Sequence, residues 1–215
     1  MHFEILVEDV SGKKLLEYII PNLIDLEKNT FKIIEYKGIG RLPKDLKTHQ
    51  DPAKRILLEQ LPKILRGYGK SFQNYNAIVI IVCDLDSRVY TDFKSELIAL
   101  LESCDPKPNA FFRIAIEEME SWLLGDKNAI EQAYPKYNKK EYGTYIQESI
   151  VGTWEKLADI LYPGGSQRLR KLPFFEIGKQ KSVWAENIGR YMNVHNNKSC
   201  SFNTFTKLII ANSEE

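Results

Sequence analysis

Long apolar runs, paired cysteines and clustered histidines are all missing from this 215-residue chain. Each absence removes a class of answer. The longest purely apolar stretch, Ala-Ile-Val-Ile-Ile-Val-Cys at 77–83, falls far short of the roughly 18 to 20 residues a membrane helix needs. The N-terminus enters a strand pattern without the charged, apolar and small-residue zones of a signal peptide, so a cytoplasmic setting and no membrane contact are expected. Cys83, Cys104 and Cys200 are odd in number, widely spaced and outside any CxxC pattern, which excludes a disulfide framework and a cysteine zinc site. They read as free thiols, with Cys83 buried. His2, His49 and His195 share no metal-ligand spacing, and His195, in the polar segment 193–199, is expected at the surface rather than in catalysis.

A formal net charge of only +1 argues against nucleic-acid binding by bulk charge. The distribution says more than the sum. Residues 1–126 carry 17 basic and 20 acidic side chains, whereas residues 127–215 carry 13 and 9. The acidic part holds the carboxylates discussed below, and the basic part could supply phosphate contacts.

The N-terminal part alternates strand and helix patterns. Residues 2–7 read as a strand, followed by a helix over 12–20 with Leu15, Leu16, Ile19 and Ile20 at helical spacing and Ser11 placed to cap it. Residues 31–36 form a second β-rich run, then a loop over 38–45 and a helix from Asp51 to Gly67, with Pro52 in its first turn. The run 77–83 has no polar alternation, as expected of a central parallel strand covered on both faces. A helix over 92–101, a strand over 110–116 and a helix over 117–124 complete the series. The order predicts an α/β fold with a mainly parallel, Rossmann-like four-stranded sheet flanked by helices over 1–125. Residues 126–215 read as a helical extension packed on it, with helices over 181–192 and 202–211. There is no internal repeat.

In such a sheet the loops past the strand ends form the ligand crevice. Three of the four strands here end in carboxylates: Glu8; Asp84 and Asp86; and Glu117, Glu118 and Glu120. Carboxylates gathered at one rim repel each other unless a cation holds them ionised, and an all-oxygen set suits Mg2+ or Mn2+. Asp84 and Asp86, two apart in an extended segment, can face one ion. Glu117 and Glu120, three apart at a helix start, would share a face. The plainer reading makes these acids helix caps and dipole partners, with Glu118 merely solvated.

Val7-Glu-Asp-Val-Ser-Gly12 and Asp84-Leu-Asp86 resemble the first-loop glutamate and the DxD pair of the TOPRIM domain, the metal-binding fold of topoisomerases, primases and OLD-type nucleases. Residues 114–126 (Ile-Ala-Ile-Glu-Glu-Met-Glu-Ser-Trp-Leu-Leu-Gly-Asp), with 181–188 and Ser199-Cys-Ser-Phe202, resemble a bacterial TOPRIM-like family akin to RloB. This likeness spans nearly the whole chain. One departure is Asp9, where TOPRIM domains commonly have glycine. The resemblance implies a TOPRIM-like fold and a metal-dependent nuclease acting on DNA or RNA, in phage defence beside an ATPase partner. Self-association stays open.

On that reading, Asp84 and Asp86 hold one Mg2+ (or Mn2+), and Glu120 with Glu117 holds or orients a second. Glu8 completes the shell or acts as general base, and Lys181 balances phosphate charge. The basic residues Arg168, Arg170, Lys171, Lys179, Lys181 and Arg190 are candidates for following a nucleic-acid backbone, with Arg41 as a rim contact. Trp122, Trp154 and Trp184 fit core packing better than base stacking. Two other classes remain: a non-catalytic binding module, and a haloacid-dehalogenase-like phosphohydrolase, whose DxD normally follows the first strand.

Overall fold

Residues 1–43 and 54–214 are described by a computed structural model. Four strands, β1 (His2–Val7), β2 (Thr30–Glu35), β3 (Ala77–Asp84) and β4 (Ala110–Ala115), pair in the order β2-β1-β3-β4. All three pairings are parallel. β3 is buried along its whole length, which its unbroken apolar sequence requires of a strand covered on both faces.

Successive strand residues divide between two cores. Phe3, Ile5, Val7, Ile78, Ile80 and Val82 face helix α1 (Val10–Ile19) and the C-terminal helices. Leu6, Val79, Ile81 and Cys83 face α2 (Leu57–Ser71) and α3 (Tyr90–Glu102). Each fully buried isoleucine or leucine contributes about 1.5–3 kcal/mol. The second helix, expected from Asp51 to Gly67, begins only at Leu57, after the extended backbone of Ile56, and runs on to Ser71. Asp45, Asp51 and Pro52 lie outside the described residues.

Beyond β4 the chain is helical: α4 (Glu120–Leu124), α5 (Lys127–Ala133), α6 (Lys139–Gly143), α7 (Thr153–Leu161), α8 (Gly165–Leu169), α9 (Phe174–Gly189) and α10 (Cys200–Ser213). α9 lies against α1, where Gly189 lets the helices approach closely: a Cβ there would sit 3.1 Å from Leu15 Cδ1. Trp122 and Trp184 are fully enclosed in the first core, with Phe202 and Phe205 against the Trp122 ring, as expected for packing residues. Trp154 is only partly buried and lies beneath the Arg170 guanidinium. Cys83 is buried and all three cysteines are free. His195 is exposed. Among the described residues, no helix is long and apolar enough to cross a membrane.

Three local expectations are corrected. Asp9, not Ser11, caps α1: its Oδ1 accepts from the Gly12 amide at 2.8 Å, while Ser11 Oγ donates to Asp9. An ionised carboxylate is the stronger acceptor for a helix amide. The helix also starts at Val10, two residues early. Glu117 lies ahead of α4 rather than inside it, with a left-handed φ of 70°, so it shares no helical face with Glu120.

Candidate functional site

Parallel pairing brings the carboxyl ends of all four strands to one rim. The register sets Val7 opposite Val82, and Asp84 opposite Ala115. Glu8, Asp84 and the segment after β4 therefore emerge side by side. Asp84, the last residue of β3, is buried, and its Oδ1 accepts the Met119 amide at 3.0 Å. Burial first, and then the charge of Glu8, raise its pKa well above the ordinary carboxylate range, against the pull of Lys181. Glu8 is pushed up to about 7 by burial, Asp86 and Asp9. The extended backbone of Asp9, at φ −149°, is open to any residue, so the departure from glycine imposes no strain.

Glu120 opens α4 and is only 3% exposed. Its Oε1 lies 3.2 Å from Lys181 Nζ, in the middle of α9. Burial raises the Glu120 pKa in spite of that neighbour. Burial works the other way on Lys181, but Glu120, Asp9 and Asp84 outweigh it and hold the ammonium firmly charged. The helix expected from 181 begins at Phe174, so Lys181 lies within it. Its own helix, buried through Trp184, Ala185 and Ile188, aims it at the rim.

The two loops that carry acids are joined. The Asp86 amide donates to the Glu117 carbonyl at 2.8 Å, and both residues have left-handed backbones, with φ 51° at Asp86 and 70° at Glu117. Such conformations cost of order 1–3 kcal/mol in non-glycine residues and persist only where their surroundings enforce them. Asp86 points its carboxylate to Arg88 Nη1 at 2.8 Å, a pairing the sequence reading missed. Arg41 and Arg88 line a cleft of about 670 Å³ that also includes Asp86, Phe93 and Glu96.

Glu8, Glu117 and Glu120 each keep one buried carboxylate oxygen, Oε2, with no hydrogen-bond partner among the described residues. Among those residues, no three His, Cys, Asp or Glu side chains are gathered closely enough to hold a metal ion between them. Among the described residues, the strand-end acids meet cations at three places: Lys181 on Glu120, Arg88 on Asp86 and Lys13 on Glu35.

Glu118, expected in solvent, instead accepts Thr153 Oγ1 at 3.0 Å and the Trp154 amide at 2.9 Å, capping α7, whose own N-cap residue is Gly152. The segment after β4 is fastened from the far end of the chain. Ser201 Oγ accepts the Ile116 amide at 3.3 Å and Trp122 Nε1 at 2.8 Å, and donates to Glu148 Oε1 at 2.6 Å. Glu148 also receives the Cys200 and Ser201 amides and Ser199 Oγ, closing the start of α10. Gly125 completes this joint, because a Cβ there would come within 2.0 Å of Asn197 Oδ1. Glu148 carried no sequence signal, since its partners lie more than 50 residues away.

The basic series is largely committed. Arg170 pairs with Glu155, Arg190 with Glu186 and Lys181 with Glu120, leaving Arg168, Lys171 and Lys179 without an ion pair among the described residues. No family model, curated protein or solved structure matches this chain.

Proposed function

We propose that the rim is the centre of a metal-dependent nuclease that hydrolyses DNA or RNA phosphodiesters. The observation that carries this reading is the buried group of Glu8, Asp84 and Glu120, in which the charges of Glu8 and Glu120 both bear on Asp84 and each of those two glutamates keeps an oxygen without a partner among the described residues. Leaving buried acceptors unsatisfied costs about 1–3 kcal/mol each, and more when the group is charged. A divalent cation would use several at once if these side chains closed on it; as they stand, no three among the described residues are near enough to share an ion. The donor set is all oxygen, which fits Mg2+ or Mn2+, and the residues that would hold it are Asp84, Asp86, Glu117 and Glu120.

When bound, such an ion supplies charge neutralisation at a phosphoryl oxygen and a more acidic water. The remaining work belongs to the chain. Glu8, with its pKa near 7, is matched to take a proton from water at neutral pH. Lys181, held as an ammonium, offsets charge developing on the phosphate. The Met119 amide keeps Asp84 aimed at the crevice. The TOPRIM resemblance of Glu8 and Asp84-Leu-Asp86 supports the same reading, and phage defence with an ATPase partner follows from that resemblance alone.

A second reading is a binding module of the same fold without turnover. The ion pairs Lys181–Glu120 and Arg88–Asp86 favour it, because each occupies a carboxylate that the metal would need. Incubation with DNA, RNA and transfer RNA in Mg2+ or Mn2+, with Asp84→Ala as control, separates the two when calorimetry with the metal alone is run alongside. Cleavage lost in the variant supports the nuclease. Metal binding without cleavage of any substrate selects the module. Equal cleavage by variant and wild type removes the rim from the chemistry.

A further inference from the structure

A second concave site lies on the open edge of the sheet, along β4. It is a cleft of about 230 Å³ lined by residues including Arg113, Phe112, Tyr90, Lys94, Cys200 and Thr204. Among the described residues, no Asp or Glu is part of its wall.

Arg113 is the unusual member. It sits in the middle of β4, half-buried, and its Nε is hidden from solvent with no hydrogen-bond partner among the described residues. Its one hydrogen bond there is from Nη1 to the Phe112 carbonyl at 2.9 Å. No carboxylate among the described residues forms an ion pair with it. Lys13, Arg88, Lys156, Arg170 and Lys181 all have one. Lys94, on the facing helix α3, is likewise without an acidic partner and lies 5.5 Å from the Tyr90 ring centre. A desolvated guanidinium without a counter-charge is costly, and burial correspondingly lowers the Arg113 pKa.

We propose that this edge cleft binds a phosphoryl group, with Arg113 as its principal contact and Lys94 and Tyr90 completing the cradle. The size of the cleft sets what enters. It is below the roughly 300–1,000 Å³ of sites that enclose a whole small molecule, so the charged head is held and the rest of the ligand stays outside. The choice of phosphate follows from the donors. A guanidinium fork satisfies two oxygens by itself, as a carboxylate would need, while a phosphoryl group offers a third to the Lys94 ammonium and the Tyr90 hydroxyl. The start of α10 adds little, because Glu148 already takes the Cys200 and Ser201 amides. The phosphate can be that of a free nucleoside monophosphate or the terminal phosphate of a nucleic-acid strand. Neither source requires the acidic rim to be catalytic.

The test follows the side-chain Nε–H resonance of Arg113 by heteronuclear NMR, without divalent metal. The protein is titrated with inorganic phosphate, a nucleoside monophosphate, the bare nucleoside, and a short oligonucleotide with and without a terminal phosphate. The expected result is a saturable shift at millimolar concentration or below, requiring the phosphate. Affinity should fall at least about tenfold in Lys94→Met, read at the same resonance, and in Arg113→Met, read by calorimetry with the same ligands, each through the loss of one charge-assisted contact. A response to the monophosphate identifies a free ligand, and a response confined to the end-phosphorylated strand identifies the strand terminus. Binding must persist in Asp84→Asn, which separates this cleft from the rim. Lys94 is exposed on α3, so its variant decides the matter even where Arg113→Met does not fold. No saturable shift, equal binding of the bare nucleoside, or undiminished affinity in Lys94→Met overturns the proposal.

Discussion

Glu148 and Glu120 are both acidic side chains drawn in among other residues, yet they meet opposite conditions. Glu148 accepts from two amides and two hydroxyls at the start of α10. Glu118 and Asp126 resemble it, Asp126 receiving the Ala129 and Asn193 amides at 3.0 and 2.8 Å. Glu120, Glu8 and Glu117 each retain an oxygen with no hydrogen-bond partner among the described residues. The same side-chain type thus fastens one region and loads the other with unbalanced charge. Removing a carboxylate should therefore weaken the first region and relax the second.

The largest effect is expected where the contrast is broken from the satisfied side. Glu148→Ala should lower stability by about 2–4 kcal/mol in urea unfolding, since several charge-assisted hydrogen bonds and a helix cap go together. A change within about 0.5 kcal/mol would mean that water replaces the carboxylate without loss.

Next comes pH. Glu8 rises from 4.5 to about 7 on folding, so between those values the native state holds the extra proton. Stability from this group is then fully present below about pH 4.5 and is lost as pH rises through about 7. In metal-free buffer, unfolding free energy should be about 2–3 kcal/mol greater near pH 5 than near pH 8 from this source. Glu8→Gln should flatten the difference. A profile that keeps its slope in that variant assigns the effect to other groups.

A change of similar size sharpens the comparison from the other side. At pH 8, Mg2+ at about a hundredfold excess over its dissociation constant should stabilise the protein by about 2.7 kcal/mol, read as a higher melting temperature. Glu148→Ala should keep this response and Asp84→Asn should lose it. The smallest effect is on the metal-free fold: Asp84→Asn should raise its stability by about 1 kcal/mol at pH 8, by removing one buried charge from a repulsive group. A destabilised Asp84→Asn would make the Met119 amide bond the dominant role of Asp84.

Much of the fold was legible because one strong signal sets it. The unbroken apolar run that became β3 marks a doubly covered strand, and strands alternating with helices lead to an α/β fold with a four-stranded parallel sheet. Glu8 and Asp84 could be placed at one rim from topology alone. What topology does not give is side-chain partnership. Asp9 and Ser11 compete for one cap, and the outcome rests on acceptor strength. The helix expected from Glu117 begins at Glu120 because the preceding residues close a hydrogen bond to Asp86 and a cap on α7. Glu148, Arg88 and Arg113 drew no notice, since the significance of each depends on neighbours that are present or missing in space.

Ser201 has a consequence for the order of assembly. It holds the Ile116 amide across 85 residues of chain, and Glu148 reaches Ser201 across 53. Contacts of such separation form late, because the intervening chain must first surrender its freedom. The sheet can therefore condense before its acidic edge is finished, and the carboxylates of the segment after β4 take their final positions only when α10 docks. During synthesis the growing chain would therefore carry all four strands before Ser201 is available to fasten the segment after β4, so the carboxylates of that segment are the last part of the rim to settle.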